Sequence, residues 1–357
     1  MGSRTLLGCE DASRPAVEAL LGSAGLNADF HARLLPGGAN NKVFHLQAGA
    51  AEVLLKQYFQ DPGDARNRLA AEFAFCRFAW TGEGARVPKP LACRPEASMA
   101  LYEYISGRRL AAAEVDEAAV AEALDFYETI NRSRHSPAAA ALPTASEACF
   151  SVPEHLRCVN ERVARLTQID DASEIGAAAR AFVREQLAPA WEELRSRTED
   201  VAKESGLLGR MPKSDERLSP SDFGFHNAIK TGEGPLRFID FEYAGWDDPA
   251  KLVCDFFCQP AVPVPESCFE AVAARVAGDL SAPQLHVRRI RMLLPVYRMK
   301  WCCIFLNEFL KTGGRRRQFS SGGGAVETKQ AAQLEKAKEG LTRLQARTSS
   351  TWRSGSG

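Results

Sequence analysis

The sequence predicts an α+β fold in which strands and one helix near the N-terminus are followed by a mostly helical remainder. Residues 33–46 have the pattern of a strand, a turn of small residues and a second strand. Residues 51–58 form a third, apolar-rich strand, and residues 68–80 carry apolar side chains at helical spacing. From Val115 onward the chain is rich in alanine and its apolar residues recur with the period of a helix.

The composition limits the classes of protein to which this chain can belong. The 357 residues, with 45% hydrophobic content, suffice for one large or two moderate domains with apolar cores. Lysine plus arginine equals aspartate plus glutamate, at 45 each, so no overall charge favours nucleic acid or an anionic membrane as a partner. Residues 1–15 lack the apolar core of a secretory signal, and charges and a proline interrupt residues 290–310. We therefore expect a cytoplasmic protein.

The ten cysteines form no Cys-x-x-Cys pair and no cluster with histidine at zinc spacing. We expect buried free thiols rather than disulfides or metal ligands.

The turn between the first two strands contains Gly37, Gly38 and Asn40. Backbone amides that carry no bulky side chains can approach a polyphosphate closely, so such turns occur at nucleotide sites. On its own, however, the segment is better explained as a plain hairpin.

Lys56 ends the third strand among apolar neighbours. It could be an edge-strand lysine that opposes aggregation, or it could neutralise the α and β phosphates of a nucleotide. The second interpretation requires a carboxylate that positions the ammonium group. Glu72 lies on a face of the predicted helix that could turn toward the sheet, although a solvated glutamate is the alternative.

The later part of the chain is predicted to be mainly helical. We expect Pro295 to kink or split one of these helices. Residues 136–143 are predicted to form a loop, and residues 348–357 a disordered tail. The predicted helices cover residues 115–130, 153–167, 175–197, 249–257, 266–277, 283–311 and 325–345.

Two oxygen-bearing side chains lie five residues apart in an irregular stretch. Asp222 precedes Asn227, and Pro220 with Gly224 prevents a regular helix between them. Taken alone, Asp and Asn at such positions are most often turn and cap residues.

A third oxygen-bearing side chain follows shortly. Asp240 ends the apolar run 236–239, and the turn signal in residues 231–235 predicts that this run pairs with residues 228–230 as a hairpin. The hairpin would bring Asp240 beside Asn227. Carboxylate and amide oxygens are ligands that Mg²⁺ accepts, and phosphoryl transfer requires such ligands together with a carboxylate near the acceptor hydroxyl.

The order of glycine turn, Lys56, Glu72, the Asp222–Asn227 loop and Asp240 resembles the aminoglycoside phosphotransferase and choline kinase superfamily, the small-molecule relatives of protein kinases. The resemblance covers residues 30–310. The loop of that family usually reads His-x-Asp-x-x-x-x-Asn, whereas this chain has Pro220 at the histidine position. We expect this change to alter loop rigidity more than chemistry.

The resemblance implies a protein-kinase-like two-lobe fold, in which a small antiparallel sheet with one main helix precedes a larger helical lobe. Residues 1–104 would form the nucleotide-binding lobe and residues 105–311 the catalytic and substrate lobe. Residues 312–357 would form a loop, a terminal helix and a flexible tail.

The resemblance also implies an ATP- and Mg²⁺-dependent phosphotransferase that acts on a hydroxyl of a small molecule such as a sugar, an amino alcohol or an aminoglycoside. Asp222 would accept or orient the hydroxyl proton, and Asn227 and Asp240 would bind Mg²⁺. The nucleotide would contact Gly37, Gly38, Asn40, Lys56, Glu72 and, through its adenine, the backbone of Glu103, Tyr104 and Ile105.

Two features of the sequence allow more than one interpretation. A nucleotide-binding pseudokinase or scaffold without phosphoryl transfer is the alternative function, and Pro220 is its only support. Glu242, Tyr243, Trp246 and Asp247 could line a pocket for a cationic acceptor, or they could be packing and cap residues. The sequence does not indicate the oligomeric state.

Overall fold

The computed structural model describes residues 13–36, 41–60, 64, 66–82, 85–232, 234–310 and 326–353. The N-terminal part contains a five-stranded antiparallel sheet with the order β1-β2-β3-β5-β4. Its elements are α1 (Arg14–Ser23), β1 (His31–Leu34), β2 (Lys42–Ala48), β3 (Ala51–Gln57), α2 (Arg68–Ala79), β4 (Pro90–Arg94) and β5 (Met99–Glu103).

The two faces of this sheet are covered by different helices. Because side chains alternate along a strand, Leu55 packs into the apolar cluster that includes α1, while Leu54 and Lys56 lie on the opposite face with residues of α2. The strand β3 lies between β2 and β5, so it is an inner strand. Lys56 is therefore not an edge-strand lysine, which was one of the two explanations that the sequence allowed.

The remainder of the chain is mostly helical. Its helices are α3 (Glu117–Arg132), α4 (Pro137–Ala140), α5 (Val152–Leu166), α6 (Glu174–Phe182), α7 (Ala188–Glu204), α8 (Pro249–Cys258), α9 (Phe269–Ala277), α10 (Pro283–Leu306) and α11 (Val326–Arg353). The predicted α+β fold class is confirmed. Among the described helices, none is both long enough and apolar enough to cross a membrane.

Two small sheets support the loops between these helices. One contains β6 (Arg108–Arg109), β8 (Ala228–Lys230) and β9 (Arg237–Phe238), and the other pairs β7 (Arg217–Ser219) with β10 (Gly245–Asp247). The hairpin predicted around residues 231–235 is present, because β8 and β9 pair antiparallel. The third strand β6, at the start of the helical part, was not predicted.

Several boundaries differ from the prediction. Residues Pro137–Ala140 form a short helix rather than a loop, because the Ser136 hydroxyl accepts a hydrogen bond from the Ala139 N–H and Pro137 begins the first turn. The helix predicted to end at 197 continues to Glu204. Pro295 lies inside α10 and does not split it, since residues on both sides of it are buried in the core.

The C-terminal helix is longer than predicted. It extends through Arg353, into the segment 348–357 that was expected to be a disordered tail. An apolar stripe of Leu334, Ala337, Leu341 and Leu344 is buried in the main core, and α11 packs on α10. The described cysteines are free thiols as predicted, although Cys93 is exposed rather than buried.

Candidate active site

Lys56 occupies the centre of a buried charge cluster. Its Nζ lies 2.6 Å from Glu72 Oε2 and 2.5 Å from Asp240 Oδ1. The Lys56 side chain is 6% exposed. The structure therefore brings together a lysine of the sheet, a glutamate of α2 and an aspartate that follows β9.

Glu72 uses both of its carboxylate oxygens. Oε2 accepts hydrogen bonds from Lys56 and from the Tyr58 hydroxyl, the latter at 2.7 Å, and Oε1 accepts one from the Phe241 N–H at 3.3 Å. The Tyr58 hydroxyl also lies 2.8 Å from that of Tyr102. These contacts fix α2 to the sheet and to the segment that carries Asp240, so the position of Lys56 depends on both.

The carboxylates keep Lys56 charged. Burial alone would lower the pKa of the Lys56 amine, but Asp240, Glu72 and Glu242 outweigh it and raise that pKa well above its ordinary value. Burial would likewise raise the pKa of Asp240, but the Lys56 ammonium outweighs it and the pKa of this carboxyl is lowered. Lys56 thus remains an ammonium group at neutral pH.

Asp240 lies two residues after the end of β9. Its backbone has φ +70°, in the left-handed region that Asp and Asn adopt more readily than other non-glycine residues. The Ile239 N–H donates to the Asn227 carbonyl at 2.9 Å, so the predicted neighbourhood of residues 227 and 240 is present. The Asp240 side chain is 39% exposed, so one side of the carboxylate is open to the solvent.

Asp222 and Asn227 form the other side of the site. The Asn227 carboxamide Nδ2 donates to the Asp222 carbonyl at 3.0 Å, and Asn227 is 6% exposed. The Asp222 side chain is 40% exposed, and its Oδ1 lies 3.2 Å from His226 Nε2. Upstream, the Asn131 side chain of α3 makes two 2.9 Å hydrogen bonds with the backbone of Leu218, which anchors the strand that leads into this loop.

The residues predicted to contact the nucleotide have different surroundings in the structure. Gly37, Gly38 and Asn40 lie outside the described residues. The Glu103 N–H donates to the Lys89 carbonyl at 2.8 Å, so it is not available to an adenine. The Glu103 carboxylate is held by Arg237 at 2.6 and 2.7 Å.

Tyr104 and Ile105 follow Glu103 in this segment. The Tyr104 ring lies 4.1 Å from the His45 ring, centroid to centroid. In the described part of the chain, no hydrogen bond uses the backbone N–H of Tyr104 or Ile105. The N–H groups of these two residues therefore remain available for contact with a base.

Sequence reasoning did not identify Asn41, which links the two parts of the molecule. Its Nδ2 donates to Glu242 Oε2 at 2.6 Å, and its Oδ1 accepts from the Phe59 N–H at 3.1 Å. Glu242 is 201 positions away in the chain, so no local pattern could reveal the contact. His226, four residues after Asp222, was missed as well, although a histidine in the candidate loop was a visible signal.

The acidic residues proposed for a cation pocket have partners. Glu242 is buried against Asn41, and Asp247 is buried and forms an ion pair with Lys251 at 2.5 Å. The Trp246 indole donates to the Ala139 carbonyl at 3.0 Å. Arg66 lies over the ring of Tyr243. The packing and cap interpretation therefore describes Glu242 and Asp247.

Comparison with known proteins places this geometry in a family. A model of the phosphotransferase enzyme family matches residues 31–256, which is more than half of the chain. A search of curated protein sequences found no match.

Solved structures with the same fold include a choline kinase from Cryptosporidium parvum Iowa II, which is 11% identical with a TM-score of 0.54, over 92% of this chain and 96% of that one. A choline kinase from Streptococcus pneumoniae is 15% identical with a TM-score of 0.55, over 93% and 100%. A spectinomycin phosphotransferase, solved in complex with ADP and spectinomycin, is 13% identical with a TM-score of 0.53, over 90% and 98%.

At these identities the likenesses establish the fold, and they confirm the predicted protein-kinase-like architecture. Together with the family match they also confirm the resemblance on which the sequence analysis relied. The chain belongs to the phosphotransferase enzyme family.

Proposed function

We propose that the protein is an ATP- and Mg²⁺-dependent kinase that transfers the γ-phosphoryl group to a hydroxyl of a small molecule. The observation that carries the proposal is the charge cluster around Lys56, in which an inner-strand lysine contacts Glu72 and Asp240. A single ammonium group held between two carboxylates, beside the Asp222–Asn227 loop, is suited to phosphates and metal together.

The nucleotide would lie between the N-terminal lobe, residues 1–104, and the catalytic lobe, residues 105–311. Lys56 would neutralise the α and β phosphates, with Glu72 fixing the direction of its side chain. The adenine would meet the backbone in the segment Glu103 to Ile105. The ADP in the related spectinomycin phosphotransferase supports a nucleotide as the donor.

The donor atoms near Lys56 fit a magnesium ion that is shared with the nucleotide. Asn227 donates through Nδ2, which leaves Oδ1 as its ligand atom, and Asp240 Oδ2 is not the atom that contacts Lys56. Within the described residues, no group of three or more His, Cys, Asp or Glu could hold a metal alone. Mg²⁺ is usually bound by one or two protein oxygens plus substrate phosphates, which matches this pair.

In the proposed reaction, Asp222 accepts the proton of the acceptor hydroxyl. The acceptor oxygen then forms a bond to the γ-phosphorus while the bond from that phosphorus to the β–γ bridging oxygen breaks, and ADP leaves with the electron pair. Magnesium held by Asn227 and Asp240 would offset the charge on the phosphates. Lys56 holds the donor in place throughout.

The contacts of Glu242 and Asp247 help to choose between the classes of acceptor. Polycationic aminoglycosides require several unpaired carboxylates, but Glu242 and Asp247 contact Asn41 and Lys251. Among the acceptor classes predicted from the resemblance, a sugar or an amino alcohol therefore fits better than an aminoglycoside. Asp222, whose side chain is 40% exposed, would contact the acceptor hydroxyl, while Asp240 would hold Mg²⁺.

The test is phosphoryl transfer from γ-labelled ATP with Mg²⁺ to a panel of sugars, choline, ethanolamine and aminoglycosides. We expect Asp222→Asn to lower kcat by about 10²- to 10⁴-fold while ATP binding persists, because the change removes the base and keeps the shape. Asp200→Asn, at an exposed position on α7, is the matched control. A wild-type protein that binds ATP but transfers phosphate to no acceptor would instead support the scaffold alternative.

A further inference from the structure

His226 lies inside the Asp222–Asn227 loop and contacts the carboxylate proposed as the base. Its Nε2 lies 3.2 Å from Asp222 Oδ1, and its side chain is 17% exposed. A carboxylate only accepts hydrogen bonds, so Nε2 carries the proton in this contact. The other ring nitrogen, Nδ1, is buried and has no hydrogen-bond partner among the described residues.

Gly224 provides the space that this ring occupies. A Cβ built on Gly224 would lie 2.8 Å from His226 Nδ1 and 3.1 Å from Cε1. The backbone of Gly224 is extended, with φ 170°, so any residue could adopt it. Glycine at this position is therefore explained by room for the imidazole rather than by backbone freedom.

The backbone of His226 is held as well. Arg109, in strand β6, donates from Nη1 to the His226 carbonyl at 2.5 Å. The Asn227 N–H donates to the Gly224 carbonyl at 3.0 Å and closes the turn. With its backbone fixed on both sides, His226 has little freedom except rotation of the ring, and Asp222 and Gly224 limit that rotation.

We propose that His226 is a positioning residue for Asp222, an inference that rests on the proposed phosphotransferase function. By donating from Nε2 to Oδ1, the imidazole fixes the plane of the carboxylate and leaves Oδ2 for the acceptor hydroxyl. The loop histidine usual in the family is absent here, because Pro220 occupies its position. His226 supports the loop from a different place in the same segment, and Gly224 makes that possible.

A double-mutant cycle tests this arrangement. We expect His226→Ala to lower kcat by about 10- to 100-fold, because small misplacements of a reacting group have effects of this size, with little change in the KM for ATP. His226→Gln should recover part of kcat, since its amide nitrogen can donate to Asp222. His135→Ala, at an exposed histidine, is the matched control.

The second arm of the cycle uses Gly224→Ala. In the wild-type background this change should lower kcat about as much as His226→Ala does, because the added methyl group displaces the ring. In the His226→Ala background it should have no further effect, since no ring remains to be displaced. A glycine required only for folding of the loop would instead lower kcat and thermal stability in both backgrounds.

The outcomes separate this inference from the proposed function. An active wild-type protein whose kcat is unchanged by His226→Ala overturns the positioning role and leaves the kinase assignment intact. Equal losses from Gly224→Ala in both backgrounds also overturn it. A wild-type protein that transfers phosphate to no acceptor in the panel refutes the proposed function, and the inference falls with it.

Discussion

Replacing Glu72 by alanine would remove the most buried carboxylate that contacts Lys56. The Glu72 side chain is 5% exposed and accepts hydrogen bonds from Lys56, Tyr58 and the Phe241 backbone. Removing one partner of a buried ion pair costs about 3–5 kcal/mol, because the other charge stays buried. Asp240 remains 2.5 Å from Lys56 and is partly exposed. We therefore expect a loss near the lower limit, about 3 kcal/mol of unfolding free energy.

The loss can be measured by urea denaturation followed by tryptophan fluorescence. The matched control is Glu193→Ala, which breaks the 2.6 Å ion pair with Arg197 on the surface of α7. Exposed pairs of this kind contribute little, so we expect the control to change the unfolding free energy by less than about 1 kcal/mol.

Glu72→Ala should also impair catalysis. Lys56 would keep Asp240 as its anchor and lose the contact that directs its side chain from α2. We expect kcat/KM for ATP to fall about 100-fold, since misplacement of a binding group by about 1 Å has this effect. A variant with wild-type ATP kinetics and a stability within about 0.5 kcal/mol of the control would show that the contact with Glu72 neither stabilises the fold nor positions Lys56.

Two further predictions concern buried polar contacts. Burial lowers the pKa of His155 in the folded protein, where Asp248 and Tyr297 contact the ring. The unfolded chain therefore binds more protons below its ordinary pKa of about 6.5, so stability should fall as the pH drops through that value. In a series of unfolding measurements at different pH, His155→Gln should flatten this dependence, and an unchanged slope would contradict the assignment. Asn41→Ala removes the hydrogen bond to the Glu242 carboxylate, and we expect a loss of about 1.5–3 kcal/mol of unfolding free energy. A loss below about 0.5 kcal/mol would show that this contact does not help to join the two parts of the molecule.

The sequence was sufficient for the features that depend on local order. The α+β class, the hairpin of β8 and β9, and the start of α8 at Pro249 follow from turn residues and from apolar periodicity. Pairing between distant segments could not be derived in this way. Whether Lys56 lies on an edge or an inner strand depends on β5 pairing with β3 across residues 58–98.

Within the candidate site, too, some contacts follow from the local sequence and others do not. Asp222 and Asn227 are five positions apart, and their hydrogen bond follows from the tight turn between them. The sequence predicted Gly224 only as a residue that prevents a regular helix, and the structure adds a second constraint, because a Cβ there would lie 2.8 Å from His226 Nδ1. Such a steric requirement depends on how side chains pack, and the propensity of a single residue carries no information about packing.

The balance of charges around Lys56 gives an independent reason for a divalent cation. One ammonium group faces the carboxylates of Glu72, Asp240 and Glu242, so these four groups together carry more negative than positive charge before any nucleotide enters, although Arg109 lies near Asp240 and offsets part of it. A triphosphate adds further negative charge, and like charges at this depth repel strongly because the surroundings screen them weakly. Lys56 alone cannot balance both the carboxylates and the phosphates. A second cation beside Asp240 would resolve this conflict, and it would release Lys56 from Asp240 to contact the phosphates.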